Sequence, residues 1–268
     1  MITSNLKGGV GNQLFQIAAG YCLARKLNTN YVINYNGNNY ESEREELDKL
    51  TSKYNHNIVH YQKYKDGLYK NIKQSNYDDF DIYNQVGFKF KQIPCRDNTK
   101  LVGYFQSEKF FSDYSHEIKD LFNFSNTIKY NVGVKLDKFK KKKLGIHIRC
   151  YARNFAILPP MPKVYYDIAL KQFNINEYDY ILITDNQAKA EEKLDKNLFF
   201  SINNNDEIED LYTLSQCDSV IMSNSTFSWW GAWLGKKKDK VIVPPIWFGN
   251  GGPKDLEDLI PIRWNILD

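Results

Sequence analysis

Short apolar runs without polar alternation recur along this chain, and segments with helical periodicity separate them. A strand that is buried on both faces needs such a continuous run, whereas a strand with one solvated face alternates apolar and polar residues. The pattern therefore predicts an α/β fold in which helices cover both faces of parallel sheets. The predicted strands are Ile2–Leu6, Tyr31–Asn34, Leu144–Ile148, Tyr178–Thr184, Ser219–Ser223 and Val241–Val243.

Helical spacing is clearest in three places between these runs. Asp206 followed by Glu209 is the signature of a capping box, and it predicts that a helix begins there. The other two helices are predicted from apolar stripes, Leu14, Ile17, Ala18 and Tyr21 for one and Tyr165, Ile168, Ala169 and Gln172 for the other.

The length of 268 residues suits two domains of about 130 residues each. The segment 125–143 is polar and lysine-rich and precedes a new strand, so we predict an N-terminal domain of residues 1–135 and a C-terminal domain of residues 136–268. The stretch 36–98 is polar, tyrosine-rich and weakly periodic, which fits either helices and loops around an acceptor site or an embellished surface.

Composition excludes several function classes. The 36 basic and 32 acidic residues are too evenly balanced to indicate nucleic-acid binding. The four cysteines form no C-x-x-C pair, so no structural zinc site is predicted. No apolar run approaches 18 residues and no signal peptide is evident, so we expect a cytoplasmic protein without a transmembrane segment. Peripheral contact with a membrane stays open.

Three glycines fall within four positions at Gly8–Gly11, between the first predicted strand and a predicted helix. A strand, glycines and a helix in succession bring backbone close to a phosphate or a sugar. The spacing G-G-x-G-N-Q matches neither the dinucleotide fingerprint nor the P-loop. A tight turn with glycines at positive φ explains the same residues without a ligand, and both interpretations stay open.

Polar side chains also follow three predicted strands of the second half. His147 and Arg149 share one face at the end of a strand, where an arginine can bind a diphosphate or pair with an interdomain carboxylate. Residues 223–226 place hydroxyl groups at a helix N-terminus, which favours an anion or is an ordinary N-cap. Asp185 could accept hydrogen bonds from a nucleoside or cap the next helix.

Five segments together resemble the α-1,2-fucosyltransferases of glycosyltransferase family 11. In chain order they are GGVGNQLFQIAAGYCLA, LVGYFQSEKFF, GIHIR, ILITDN and DLYTLSQCDSVIMSNSTFSWWGAWLG. The resemblance implies a GT-B-like fold, with two Rossmann-type domains facing across a cleft. It also implies an inverting transfer of fucose from GDP-fucose, bound by the C-terminal half, to a glycan hydroxyl, the 2-hydroxyl of a galactoside.

By this resemblance the partners are a sugar-nucleotide donor and a glycan acceptor, and neither a metal nor a cofactor is expected. Arg149 and Asn12 become the catalytic candidates. The candidate substrate-binding residues are His147, Arg153, Asp185, Ser223, Asn224, Ser225, Thr226, Gly9, Gly11 and Gln13.

One motif departs from the family pattern H-x-R-R-G-D. After His147 and Arg149 the chain continues with Cys150, Tyr151 and Ala152, so the second arginine and the aspartate are both absent. Arg153 could supply the missing charge. The departure keeps two alternatives open, the transfer of another GDP-linked sugar and a non-catalytic protein that binds a sugar nucleotide or a glycan.

Overall fold

The computed structural model describes residues 1–34, 68, 71–75, 77, 79–150, 155–195, 197–202 and 206–267. The chain forms two compact units. The first comprises Met1–Asn123 and Asp255–Leu259, and the second comprises Phe124–Lys254 and Ile260–Asp268. The position predicted for the domain boundary, residue 135, lies within the range of the second unit.

A short segment near the C-terminus belongs to the first unit. Asp255 accepts a hydrogen bond from the backbone nitrogen of Lys89 at 3.1 Å. Asp258 accepts one from the backbone nitrogen of Phe90 at 2.7 Å and pairs with Lys109. These long-range bonds to backbone groups assign the segment to the first unit, and no local sequence signal announces them.

The parallel strands of the first unit are β1 (Ile2–Ser4), β2 (Val32–Asn34), β3 (Lys73–Ser75), β4 (Asp81–Asn84) and β5 (Thr99–Val102). Strand β1 pairs with β5, and β5 pairs with β4. Strand β2 pairs with β3, and a parallel bridge from Ile2 to Tyr31 links β1 to the residue before β2. The chain order therefore reverses at β1, between β2 and β5.

Helix α1 (Val10–Lys26) follows β1 and is buried over most of its surface. Of its predicted stripe, Leu14, Ile17 and Ala18 are fully buried, whereas Tyr21 is partly exposed and donates its hydroxyl hydrogen to Glu117 at 2.9 Å. After β5 come two single 3₁₀ turns, at Glu108–Phe110 and Ser112–Tyr114, and then α2 (Ser115–Leu121).

The strands of the second unit are β6 (Lys142–Ile148), β7 (Tyr178–Thr184), β8 (Phe200–Ser201), β9 (Ser219–Ile221), β10 (Lys240–Val243) and β11 (Asn265–Ile266). Among the described residues they form a six-stranded parallel sheet in the order β8-β7-β6-β9-β10-β11. The chain fills one side of β6 first and then crosses to the other side. This is the strand order of doubly wound dinucleotide-binding folds, in which ligands bind outside the carboxyl ends of the strands where the order reverses.

Close packing of helices on this sheet depends on small residues. A Cβ at Gly145 of β6 would lie 2.6 Å from Leu214, and one at Gly231 would lie 2.5 Å from the same leucine. Because Gly145 and Gly231 have no side chains, the side chain of Leu214 can pack closely against both β6 and the helix that contains Gly231. The helices are α3 (Asn126–Leu136), α4 (Lys163–Leu170), α5 (Gln187–Glu191), α6 (Glu207–Gln216) and α7 (Thr226–Leu234).

Two helix predictions need correction. Helix α4 ends at Leu170, so Gln172 lies beyond it, and Ile168 is 41% exposed instead of facing the core. Asp206 caps α6 as predicted, accepting from the backbone nitrogen of Ile208 at 2.7 Å. The carboxylate of Glu209, which a capping box would direct back to Asp206, accepts instead from Asn131 and Lys135 of α3, each at 2.8 Å.

Candidate functional site

The carboxyl ends of β6 and β9 lie side by side where the strand order of the second unit reverses. Ile146 pairs with Ile221 in the register of the two strands. One residue further along β6, Nδ1 of His147 lies 2.8 Å from the hydroxyl oxygen of Ser223. Two stretches that the sequence singled out are thus joined by a buried hydrogen bond.

Arg149 follows β6 directly, and its guanidinium is largely withdrawn from solvent. Nη2 donates to the carbonyl oxygen of Leu158 over 3.4 Å, a long hydrogen bond. Nε is buried and has no hydrogen-bond partner among the described residues. Burial lowers the pKa of Arg149, and the carboxylate of Asp185 opposes that effect. The group still carries its charge at neutral pH, and a buried charged donor without an acceptor fits an anionic ligand.

The loop that presents Leu158 is held by backbone contacts. The side-chain nitrogen of Asn224, which is 1% exposed, donates to the carbonyl oxygens of Pro159 and Trp247 at 2.9 and 3.0 Å. Gly249 donates its backbone hydrogen to Ile157 at 2.9 Å. Asn224, a predicted substrate-binding residue, therefore ties two loops together beside the strand ends.

The N-terminus of α7 lies next to the same strand ends. Ser225 is the N-cap, and its hydroxyl oxygen accepts from the backbone nitrogen of Phe227 at 3.3 Å. The ring of Phe227 is tilted against His147 with centroids 5.1 Å apart. The side chains of Ser223 and Ser225 are buried, whereas Thr226 is partly exposed. Because no acidic residue lies in its first turn, the positive end of this helix dipole is not neutralised there.

Asp185 lies at the end of β7, beside β6. One carboxylate oxygen accepts from the backbone nitrogen of Cys150 at 2.7 Å. The N-cap of α5 is the next residue, Asn186, which accepts from the backbone nitrogen of Lys189 at 3.1 Å. The interpretation of Asp185 as the helix cap is therefore wrong, because its carboxylate binds the chain that follows β6.

A lysine that the sequence analysis missed lies near this carboxylate. Burial lowers the pKa of Lys193, while Cys150 and Asp185 oppose the effect. Its amine donates to the carbonyl oxygen of Met161 at 2.6 Å. No local pattern marks a partly buried lysine in a polar loop. Arg153, the cation predicted to replace the missing arginine, lies outside the described residues.

The glycine-rich turn of the first unit orients two amide side chains. Gly8 has a φ of 81°, so the positive-φ interpretation holds for it, whereas Gly9 has a φ of −68° and is the N-cap of α1. Gln13 donates its amide hydrogen to the carbonyl oxygen of Gly8 at 3.0 Å. Asn12 accepts from the side chain of Gln106 at 2.9 Å.

Two more residues lie in this turn or contact it. Gly11, a predicted binding residue, is buried within the first turn of α1. Gln106, which the sequence analysis did not select, stands just after β5 in the segment LVGYFQSEKFF. Its place in a segment that carries the family resemblance was the signal that could have identified it.

The described ranges contain neither a cluster of metal ligands nor a helix that could span a membrane. No three His, Cys, Asp or Glu side chains of those ranges cluster closely enough to hold a metal ion. None of the helices in the described part of the chain combines the length and the apolar composition that a membrane crossing needs.

Known proteins share both the sequence pattern and the fold. Residues 1–268 match the family described as Glycosyl transferase family 11. The chain belongs to glycosyltransferase family 11. Over 300 residues, 94% of this chain and 96% of the relative, it is 28% identical to the O-antigen biosynthesis glycosyltransferase WbnK of Escherichia coli. It is 26% identical over 277 residues to an alpha-1,2-colitosyltransferase of Escherichia coli, covering 92% of each chain.

Two solved structures have the same fold. Fucosyltransferase NodZ from Bradyrhizobium has a TM-score of 0.50 at 13% identity, covering 87% of this chain and 92% of NodZ. POFUT1 in complex with GDP-fucose has a TM-score of 0.53 at 12% identity, covering 90% and 97% of the two chains. The family member described here therefore has the expected α/β fold of the GT-B type.

The buried histidine of this site predicts a loss of stability in acid. Burial lowers the pKa of His147 to about 4, with Asp185 opposing and Arg149 reinforcing the effect. Between pH 4 and the unfolded value of about 6.5 the unfolded chain binds more protons, so the free energy of unfolding falls as the pH drops. We expect a loss of roughly 2 kcal/mol from this residue between about pH 7 and pH 5, measured by denaturant unfolding.

A His147→Gln variant removes the titrating group and can still hydrogen-bond Ser223, so its stability should depend less steeply on pH. The same substitution at the exposed His116 of α2 controls for the change of residue type. If the free energy of unfolding changes with pH equally steeply in the wild type and in His147→Gln, the assignment to His147 is contradicted.

Proposed function

We propose that the protein transfers fucose from GDP-fucose to a glycan hydroxyl with inversion, and that the acceptor position is the 2-hydroxyl of a galactoside. The observation that carries the proposal is the guanidinium of Arg149, whose buried Nε has no partner among the described residues. It stands where the strand order of a parallel sheet reverses, the usual ligand site of such sheets. Family membership and the fold shared with two fucosyltransferases support the same proposal.

The diphosphate is the ligand that these groups fit best. A guanidinium offers two parallel donors to a phosphate, and the first turn of α7 offers backbone N–H groups and the positive end of a helix dipole. In this proposal Arg149 and residues 223–226 form the diphosphate site, and His147 and Asp185 contact the nucleoside. No metal is needed, because the guanidinium and the helix terminus supply the positive charge.

The proposed reaction is a single displacement at the anomeric carbon of fucose. The acceptor oxygen forms a bond to that carbon on the face opposite the nucleotide, and the bond from the carbon to the β-phosphate oxygen breaks. The electron pair of that bond leaves with GDP, and the hydroxyl proton of the acceptor passes to a general base. Arg149 stabilises the charge that develops on the leaving group, an effect of about 3 kcal/mol per well-placed donor.

A second candidate is the transfer of a different GDP-linked sugar. Cys150 stands where the family pattern has a second arginine, so the surroundings of the donor differ from those in the family pattern. One relative is named for colitosyl transfer. A colitosyl donor is therefore the first alternative to test.

The deciding experiment combines ligand binding with turnover. GDP-sugars and UDP-sugars are screened by thermal shift, and GDP release is then measured with and without galactoside-terminated glycans. We expect GDP-fucose to raise Tm and a galactoside acceptor to accelerate GDP release, with the linkage of the product read by NMR.

A shift in Tm without acceptor-dependent GDP release would instead indicate a non-catalytic binding protein. Turnover with another GDP-sugar alone would favour the second candidate. Binding of UDP-sugars in preference to all GDP-sugars would contradict both.

A further inference from the structure

The first unit has its own point of strand-order reversal, at the carboxyl ends of β1 and β5. The chain leaving β1 runs into Gly8 and α1, and the chain leaving β5 runs into the loop 103–107. The amine of Lys7 lies 4.6 Å from the ring centroid of Tyr104, so the two loops touch. Open parallel sheets bind ligands at such points.

Gln106 follows β5 at this point, and half of its side-chain amide has no hydrogen-bond partner among the described residues. The residue is 5% exposed, and its nitrogen donates to Oδ1 of Asn12 at 2.9 Å. Its oxygen Oε1 is buried and has no hydrogen-bond partner among the described residues. A buried carbonyl oxygen left unpaired costs free energy comparable to a lost hydrogen bond, so native structures rarely keep one without a reason.

The backbone around Gln106 holds the residue in place. Phe105 has a φ of 51°, an uncommon conformation for a bulky residue, and its side chain is fully buried. The side-chain oxygen of Gln85 accepts from the backbone nitrogens of Tyr104 and Phe105 at 2.9 and 2.8 Å. Strain of this kind persists where the surrounding structure enforces it, so the amide of Gln106 is fixed before any ligand arrives.

The chemistry of Oε1 of Gln106, which has no partner among the described residues, indicates the kind of ligand that it can bind. A carbonyl oxygen needs a hydrogen donor, and an ionised phosphate has none to offer. We propose that Gln106 is a carbohydrate-binding residue, whose Oε1 accepts a hydrogen bond from a sugar hydroxyl while its Nε2 orients the amide of Asn12. This inference rests on the proposed function. The hydroxyl belongs either to the transferred sugar or to the acceptor sugar, and the experiment distinguishes the two sources.

The test uses the full-length protein with Gln106→Met, which keeps the volume and removes both polar atoms. If the hydroxyl belongs to the acceptor, KM for the acceptor should rise about tenfold or more while the Kd of GDP-fucose stays unchanged. If it belongs to the donor sugar, the Kd of GDP-fucose should weaken by about the same factor while the Kd of GDP stays unchanged. If neither KM for the acceptor nor the Kd of GDP-fucose differs between the variant and the wild type, the assignment is overturned.

Deoxy analogues identify the hydroxyl. The KM or Kd of an analogue that lacks the contacted hydroxyl should be the same for the wild type and for Gln106→Met. Removing the hydroxyl and removing Oε1 abolish the same hydrogen bond, so the second change adds nothing to the first. Gln106→Glu keeps an acceptor oxygen but loses the donor to Asn12. Its KM for the acceptor and its Kd for GDP-fucose should therefore stay near the wild-type values, while its kcat should fall. A loss of sugar affinity as large as in the methionine variant would assign the effect to the Asn12 bond and overturn the proposal.

Gln16 offers a matched stability control in the same unit. It is fully buried, and its amide both accepts from and donates to the backbone of Lys7, at 2.9 and 3.2 Å. Gln16→Met loses both bonds to the backbone and should therefore lower Tm. Gln106→Met loses one hydrogen bond, to Asn12, and an oxygen that has no partner among the described residues, so it should lower Tm less. A fall in Tm as large as that of Gln16→Met would indicate a structural role and contradict the proposal.

If the wild type neither binds GDP-fucose nor turns it over, the proposed function fails and this assignment fails with it. Failure of the Gln106 tests alone leaves GDP binding and transfer by the wild type intact.

Discussion

Replacing Arg149 by alanine is expected to lower kcat for sugar transfer by about a hundredfold to a thousandfold while the fold persists. The guanidinium is the charged group closest in sequence to the end of β6, and its buried Nε lacks a partner among the described residues. In the proposed function it stabilises the charge that develops on GDP. GDP release from GDP-fucose measures the effect, and Tm reports on the fold.

Stability is expected to change little in this variant. Burial disfavours the charged guanidinium, as the lowered pKa of Arg149 indicates, and its hydrogen bond to the carbonyl oxygen of Leu158 is long. Removing a buried charge that is incompletely paired relieves a desolvation cost. Loss of activity in a well-folded Arg149→Ala protein would therefore report on ligand chemistry and not on unfolding.

Two control variants sharpen this test. Arg149→Lys keeps the charge but loses the planar pair of donors, so its kcat should fall between the wild type and Arg149→Ala. Arg263→Ala removes an exposed arginine of the same unit, which lies 5.6 Å from the ring of Trp264, and should keep the wild-type rate. Normal turnover by Arg149→Ala would refute the assignment of the diphosphate site.

The second large effect is expected at Gly8, through the position of Asn12. Gly8 has a φ of 81°, which costs a residue with a Cβ about 1–2 kcal/mol. An added Cβ would also lie 2.4 Å from the amide nitrogen of Asn12. We expect Gly8→Ala to lower the free energy of unfolding by roughly that amount and to displace the Asn12 side chain. If Asn12 is catalytic, kcat should fall about a hundredfold, the usual effect of a misplaced catalytic group.

Gly9 provides the matched comparison. It has a φ of −68°, and a Cβ added there would meet no heavy atom of the described residues within 4 Å. Gly9→Ala should therefore change Tm much less than Gly8→Ala does. Because Gly9 is predicted to lie against substrate, we expect this variant to raise KM. A Gly8→Ala protein with wild-type kcat would exclude a catalytic role for Asn12 that depends on its present position.

Local patterns in the sequence were sufficient for the fold class, for the family and for six of the eleven strands in the described ranges, whereas β3, β4, β5, β8 and β11 were not predicted. Continuous apolar runs identified Tyr178–Thr184 with its observed bounds, and a side-chain cap at Asp206 marked the start of α6. Both signals depend on residues within one element, because the periodicity and the capping hydrogen bond are local. The resemblance of motifs was also sufficient to predict Arg149 and Asn12 as the catalytic candidates.

The tertiary structure alone decided which polar atoms are paired. The bond from Gln106 to Asn12, the contact of Asp185 with the backbone of Cys150 and the return of Asp255–Leu259 to the first unit all join residues distant in sequence. No local pattern encodes such contacts, because the pairing of a buried donor or acceptor depends on what the rest of the chain brings beside it. The buried atoms of Arg149 and Gln106 that lack a partner among the described residues are evident only from the tertiary structure.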